Sequence, residues 1–151
     1  MSGAPLVHEL RVRFAECDPQ GIVFNSRYLE YFDVALTELW REAFGNYDEV
    51  MKELGVELVV AEARIRYLSS LRFDDVFEMR LTITRLGTTS TTIEIVVVRD
   101  GETIAEGEMR HVFVGWGTSV KAEIPTSVRS ALAPWTADGA AQRVADSPSR
   151  L

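Results

Sequence analysis

Between Leu58 and Gly115 this chain alternates apolar and polar residues almost without a break. Only a β-strand satisfies that period, because successive side chains leave opposite faces of an extended backbone. Ala61, Ala63, Ile65 and Tyr67 alternate with Glu62, Arg64 and Arg66, and Phe77, Met79, Leu81 and Ile83 with Glu78, Arg80, Thr82 and Thr84. Ile93, Ile95 and Val97 continue the pattern beyond a turn at Leu86-Gly87. Asp100-Gly101 is a two-residue hairpin signal, and Ile104 to Val114 returns as the last strand. Upstream, Leu6, Leu10, Val12 and Phe14 share one phase opposite Glu9, Arg11 and Arg13, which predicts a further, half-buried strand.

From Ser26 the period changes to three and four. Leu29, Phe32, Leu36, Leu39, Trp40 and Ala43 fall on one stripe, Asn25 or Ser26 can cap its start, and Gly45 stands where a helix would stop. A shorter helix is expected over Tyr47 to Leu54, ended by Gly55, and another from Pro125 to Leu132. From Thr136 onward the residues are mostly small and polar with no apolar spacing, so residues 1–135 read as the domain and 136–151 as a disordered tail. The four long strands are expected to form an antiparallel meander. The sheet's apolar face needs a cover, and the long helix carries the only sizeable apolar stripe. The reading is α+β: one long helix on one antiparallel sheet.

A chain of 151 residues supports one domain with a real core. Its net charge of −7 argues against a general nucleic-acid binder, which needs surplus Lys and Arg to neutralise phosphates. A few well-placed arginines can still hold an anionic small molecule. One cysteine, Cys17, permits no internal disulfide, no apolar run approaches a membrane span, and Met1 to Pro5 lack the character of a signal peptide. A cytoplasmic protein is expected.

The chemistry concentrates in Glu16-Cys17-Asp18-Pro19-Gln20-Gly21-Ile22-Val23-Phe24-Asn25-Ser26-Arg27-Tyr28-Leu29. Here a carboxylate sits on a loop just ahead of a buried helix. A helix start offers unpaired N–H groups and a partial positive charge, which suit an oxyanion, and a nearby carboxylate can attack a carbonyl or activate water. Gly21 permits a tight turn, and Pro19 stiffens the loop.

These residues resemble the acyl-CoA thioesterases of the 4-hydroxybenzoyl-CoA thioesterase type. The likeness rests on Asp-Pro-x-Gly-Ile-Val followed by a Tyr-Leu-x-Tyr-Phe helix, and on Ala63 to Tyr67 with Leu71-Arg72-Phe73-Asp74-Asp75. It spans residues 6 to 133. The resemblance implies a hotdog fold, an antiparallel five-stranded sheet wrapped around one long central helix, and hydrolysis of acyl-CoA without metal or cofactor. Asp18 matches the essential carboxylate, nucleophile or general base. The Asn25 N–H matches the group that polarises the thioester carbonyl, and Tyr28 faces the same pocket. Ser70 departs from the proline that relatives often carry before the Arg-Phe-Asp-Asp turn. The resemblance also implies a homodimer or homotetramer with active sites between subunits, where pairing sheets would cover a strand edge. For the CoA phosphates the chain offers Arg64, Arg66, Arg72 and Arg85, with Gly87, Thr88 and Ser90; Arg85 with Ser90 is the nearest positional match.

Plainer readings stand beside these. Asp18 can be a turn residue, Asn25 an N-cap, and strand arginines solvated charges. Cys17 has no neighbouring His in sequence and reads as a small buried residue, while His8 and His111 are too isolated to suggest a metal site. A hydratase of the same fold would need a His beside its acid. An acyl-carrier-protein thioesterase and a non-catalytic acyl-CoA binding module remain as alternatives.

Overall fold

The computed structural model describes residues 3–137. The chain runs β1 (Leu6–Arg11), a short 3-10 turn (Phe14–Glu16), α1 (Arg27–Phe44), α2 (Tyr47–Leu54), then β2 (Val56–Tyr67), β3 (Val76–Leu86), β4 (Ser90–Arg99) and β5 (Glu102–Gly115). It closes with α3 (Thr126–Leu132) and a 3-10 turn at Ala133–Trp135. The strands form one antiparallel sheet in the order β1-β3-β4-β5-β2.

That order corrects the expected meander. Only β3, β4 and β5 follow one another, whereas β2 crosses to the far edge and pairs with β5 from Val56↔Gly115 to Tyr67↔Ala105. No tight turn joins β2 to β3. The intervening segment, 68–75, buries Leu71 and crosses the end of the sheet instead. The hairpin at Asp100-Gly101 does form, with φ of 51° and 78°, the positive pair that a type I′ turn requires. Gly45 (φ 74°) ends α1 and Gly55 (φ 74°, left-handed) ends α2, as their placement suggested.

The core lies between the sheet and the helices. Phe77, Met79, Leu81 and Ile83 of β3 and Ile93, Ile95 and Val97 of β4 are buried in strict alternation. The buried residues of α1 are Tyr28, Tyr31, Phe32, Ala35, Leu36 and Leu39. Leu29, expected inward, is 42% exposed, and Trp40 sits at the core's margin. The inward stripe is therefore rotated toward the tyrosines. The helix does not cover the sheet alone: Met51 of α2 and Val128 and Leu132 of α3 belong to the same core. Phe32 packs against β5 at Gly107, where any Cβ would overlap its ring.

Two more expectations change. Phe14 is 77% exposed, because the β1 ladder ends with Val12 N–H donating to the Asp75 carbonyl and the chain then turns into the 3-10 segment. Thr136 and Ala137 do not start a free tail. Thr136 bridges to Ile83 in parallel, its carbonyl accepts from Gly3 N–H at 3.2 Å, and Ala137 N–H donates to the Ile83 carbonyl at 2.9 Å. The remainder of the expected tail, 138–151, lies outside the described residues.

Candidate active site

The segment from Glu16 to Phe24 folds back on itself as a narrow hairpin. Cys17 pairs with Val23, Asp18 N–H donates to the Ile22 carbonyl at 2.8 Å, and Phe24 N–H donates to the Glu16 carbonyl at 2.9 Å. At the tip, Gly21 N–H closes a β-turn on the Asp18 carbonyl at 2.9 Å, with Pro19 supplying the first central residue. Gly21 adopts φ 80°, a left-handed value that favours glycine. Asp18 Oδ1 accepts the Gln20 N–H at 2.8 Å, an Asx turn that fixes the carboxylate's rotamer. The turn function of Asp18 is thus present. It engages only one oxygen: among the described residues Oδ2 has no hydrogen-bond partner, and the residue is half-buried.

The hairpin is stitched to the 71–72 segment by the Ile22–Arg72 bridge and by Val23 N–H donating to the Leu71 carbonyl at 2.8 Å. It feeds directly into α1. Neither Asn25 nor Ser26 caps the helix with its side chain, because Ser26 already holds helical angles (φ −69°, ψ −18°). The Asn25 carbonyl instead accepts Tyr28 N–H at 3.3 Å and the Tyr67 hydroxyl at 3.0 Å. The Asn25 N–H donates to no group among the described residues. A carboxylate oxygen and a helix-terminal N–H, both unengaged, thus lie on one short segment.

Tyr28 is 2% exposed and packs edge-on against Tyr31 and Tyr67, at centroid distances of 5.8 and 5.2 Å. Burial raises its pKa against a hydrogen bond from the Leu71 backbone, so the phenol stays neutral. Tyr67 was quoted in the sequence only as part of a strand motif. Its contact with Asn25 depends on how β2 crosses the end of α1, which no local pattern reports.

Glu16 was also passed over. It is 3% exposed, and its Oε1 accepts the Arg13 N–H at 2.7 Å and the Tyr31 hydroxyl at 2.8 Å. Its Oε2 accepts Arg13 Nε at 2.9 Å and Nη2 at 2.7 Å. Burial pushes its pKa up, but the hydrogen bonds from Arg13 and Tyr31 outweigh that and hold it below the ordinary glutamate value. Burial and the Glu16 contact both raise the Tyr31 pKa. Cys17 is half-buried, and its Sγ reaches only the Arg13 carbonyl, at 4.0 Å.

The arginines proposed for phosphate recognition do not gather here. Arg64 pairs with Glu108 across the strands at 2.6 Å and Arg66 with Glu106 at 3.6 Å. Arg72 does lie near the hairpin, its Nη1 3.8 Å from where a Cβ on Gly21 would stand. Arg85 and Ser90 flank the β3–β4 turn, at the opposite end of β3 and about 30 Å of strand away. There Arg85 Nε and Nη2 are buried without a hydrogen-bond partner, as is the Oγ of Ser90, which is fully buried. Burial, then the neighbouring charge of Arg110, lowers the Arg85 pKa. A Cβ on Gly87 would stand 3.2 Å from the Ser90 carbonyl oxygen and 3.3 Å from Arg85 Nη2, so this corner is tightly packed. His111, on the helix side of β5, packs edge-on against Trp40 at 5.7 Å; burial lowers its pKa to about 4, and its Nδ1 is unpartnered.

Among the described residues no group of three or more His, Cys, Asp or Glu could hold a metal ion, and no helix is long and apolar enough to cross a membrane.

The chain is similar to known proteins. The model of the thioesterase-like superfamily matches residues 12–132. A protein of Aquifex aeolicus named "Putative esterase" is 34% identical over 85% of this chain and 98% of its own length. The acyl-CoA thioester hydrolase YbgC of Escherichia coli is 27% identical over 70% of this chain and 78% of its own. The solved structure of a gentisyl-coenzyme A thioesterase superposes with a TM-score of 0.74, at 28% identity, covering 85% of this chain and all of that one. A family match across the sheet, α1 and the Asp18 hairpin together leaves one conclusion: the chain belongs to the thioesterase-like superfamily and is a hotdog-fold thioester hydrolase.

Proposed function

We propose that this protein hydrolyses an acyl-CoA to the free acid and CoA, with Asp18 as the acting carboxylate. The observation that carries the reading is the pairing of a turn-fixed Asp18, one oxygen unengaged, with the unengaged Asn25 N–H at the start of α1. The N–H would accept the charge that develops on the thioester oxygen, where fixed donors act most strongly. Asp18 would either attack the carbonyl carbon, expelling CoA thiolate and leaving an anhydride for water to cleave, or take a proton from an attacking water. Tyr28, neutral and buried, would shape the pocket beside Gly21. A thioester is already activated, so neither route calls for a metal or cofactor. The names of the relatives favour CoA as the carrier: YbgC and the gentisyl-coenzyme A enzyme both act on CoA thioesters by name. An acyl-carrier-protein substrate is disfavoured by the charge of −7, which would repel an acidic carrier. A cytoplasmic location belongs to the same proposal.

Assembly as a homodimer or homotetramer completes the reading. β2 is an edge strand and, with the residues around the helix start, exposes Phe24, Leu29, Val59, Val60, Tyr67 and Leu68, each at least 42% accessible. An exposed apolar edge is a surface that proteins cover. Arg85 and Ser90, distant from Asp18 within one chain, could then serve a site completed by another subunit, with Arg64 contributing from β2.

Thiol release from short, long and aromatic acyl-CoAs, compared between wild type and Asp18→Asn, tests the proposal. We expect hydrolysis of at least one substrate, reduced about 10²- to 10⁴-fold in the variant with unchanged melting temperature. A fully active variant would remove Asp18 from the mechanism, and a folded wild type inert to the whole panel would favour the carrier-protein or binding-module alternative.

A further inference from the structure

Glu16 is the one buried acidic side chain among the described residues, and the proposed chemistry does not use it. Its carboxylate has about four lone-pair sites. All are occupied: two donors reach Oε1 and two reach Oε2, at 2.7 to 2.9 Å. A carboxylate so saturated has no capacity left to take a proton or attack a carbon. What it can do is fix position.

The carboxylate binds Arg13 and Tyr31, and the residue's main-chain carbonyl holds Phe24, so Glu16 touches three different parts of the site. Arg13 lies on the segment that enters the hairpin, and its backbone N–H and guanidinium are both engaged. Tyr31 lies in α1, one turn beyond Tyr28, and donates from a buried ring that also packs on Phe77 of the sheet at 4.9 Å. Phe24, the last residue before Asn25, donates its N–H to the Glu16 carbonyl at 2.9 Å. Only Cys17 separates Glu16 from Asp18. The backbone that carries Asp18 is therefore tied through Glu16 to α1, the helix that Asn25 precedes by two residues.

Stability alone is a poor account of this arrangement. Burying an ionised carboxylate carries a desolvation cost that pairing only roughly repays, and apolar residues of similar volume commonly do as well. The Arg13 side chain is moreover 80% exposed, so its half of the ion pair is screened by water. A bond network that spans loop, helix and sheet does give something an apolar contact cannot, a fixed direction.

We infer that Glu16, through Tyr31, is a positioning residue that holds Asp18 in register with the Asn25 N–H. The inference rests on the proposed role of Asp18. Misplacing a reacting group by about 1 Å can cost about 10²-fold in rate, so modest loosening is measurable.

Four variants separate the possibilities: Tyr31→Phe, which deletes one hydrogen bond and no core volume, Glu16→Gln, Glu16→Asp, and Asp18→Asn as reference. On an acyl-CoA that the wild type hydrolyses, Tyr31→Phe should lower kcat about 3- to 10-fold and Glu16→Gln about 10- to 50-fold, with KM within about twofold. Each loss is to be measured well below the variant's own melting temperature, on folded protein. Glu16→Asp, which keeps the charge and shortens the reach, should recover less activity than wild type but more than Glu16→Gln. If Asp18→Asn is inert while Tyr31→Phe and Glu16→Gln melt earlier yet keep wild-type kcat, Glu16 is a structural acid only and the inference is wrong. If Asp18→Asn keeps its activity, the failure lies in the reading of Asp18 itself. Should Glu16→Gln not fold, the kcat of Tyr31→Phe decides the matter alone.

Discussion

The two ends of the sheet treat buried polar groups in opposite ways. At the Asp18 end, every oxygen lone pair of Glu16 has a donor, and Oδ2 of the half-buried Asp75 accepts from Arg99 Nη1 and the Arg72 N–H, both at 2.8 Å. At the far end, where β3, β4 and β5 meet, Arg85 Nε and Nη2, Ser90 Oγ and His111 Nδ1 are buried with no partner, and they are the only such side-chain atoms among the described residues. An unmade hydrogen bond costs more than a made one returns. A completed network therefore reads as scaffold, and an incomplete one as a place where something else supplies the partner. The register divides the incomplete end further: Arg85 and Thr92 lie opposite each other on the sheet face away from α1, with Arg110 beyond, whereas Thr91 and His111 face the helix.

Three measurements would break or sharpen this contrast. The largest effect is expected at His111. Its folded pKa of about 4 lies below the unfolded value of about 6.5, so the unfolded chain takes up a proton that the folded chain refuses. The stability it allows is fully present above pH 6.5, falls as pH drops toward 4, and amounts to about 3 kcal/mol. Urea unfolding of wild type and His111→Leu across that window should show the step only in the wild type. A step of equal size in both would mean that His111 is not the group responsible. Glu16, whose pKa is depressed, works with the same sign but lower: its contribution is present above the ordinary glutamate value and is lost as pH falls through its own.

Next in size is Arg85. If its two free donors serve a phosphate, Arg85→Gln should raise KM for an acyl-CoA about tenfold or more, the loss of a charge-assisted hydrogen bond, and leave kcat alone. Equal KM in both proteins would dissociate this end from the substrate. Smallest is Ser90→Ala. A fully buried hydroxyl without a partner carries a desolvation cost that alanine relieves, so unfolding free energy should stay unchanged or rise by up to about 1 kcal/mol. A loss above about 1 kcal/mol would show the hydroxyl to be bonded in solution, and the contrast between the two ends would weaken.

Sequence pattern reported these two ends unequally. The Asp-Pro-x-Gly turn, the stops at Gly45 and Gly55 and the Asp100-Gly101 hairpin were legible because each is a local conformational demand. Alternation also told which residues of β3 face the core. It could not tell which strand lies beside which, since a strand's two faces look the same whatever its neighbour, and β2 was accordingly given the wrong partner. Tyr31 entered only as part of the Tyr-Leu-x-Tyr-Phe motif, and its hydroxyl's partner lies 15 residues upstream. The burial of Arg85 beside Gly87 and the charge of Arg110 comes from the packing of the whole corner. Desolvation is a property of the fold, and a single sequence carries no mark of it.

The contact of Phe32 with Gly107 bears on substrate length. Phe32 stands seven residues beyond Asn25, about 10 Å along α1, and its ring closes the space between helix and sheet. An acyl chain threaded under the helix from the Asn25 end would stop at that ring. On the proposed function, longer chains would then leave sideways, along the exposed apolar surface of Leu29 and Tyr67, and selectivity for acyl size would be set at the edge of the molecule and not in its interior.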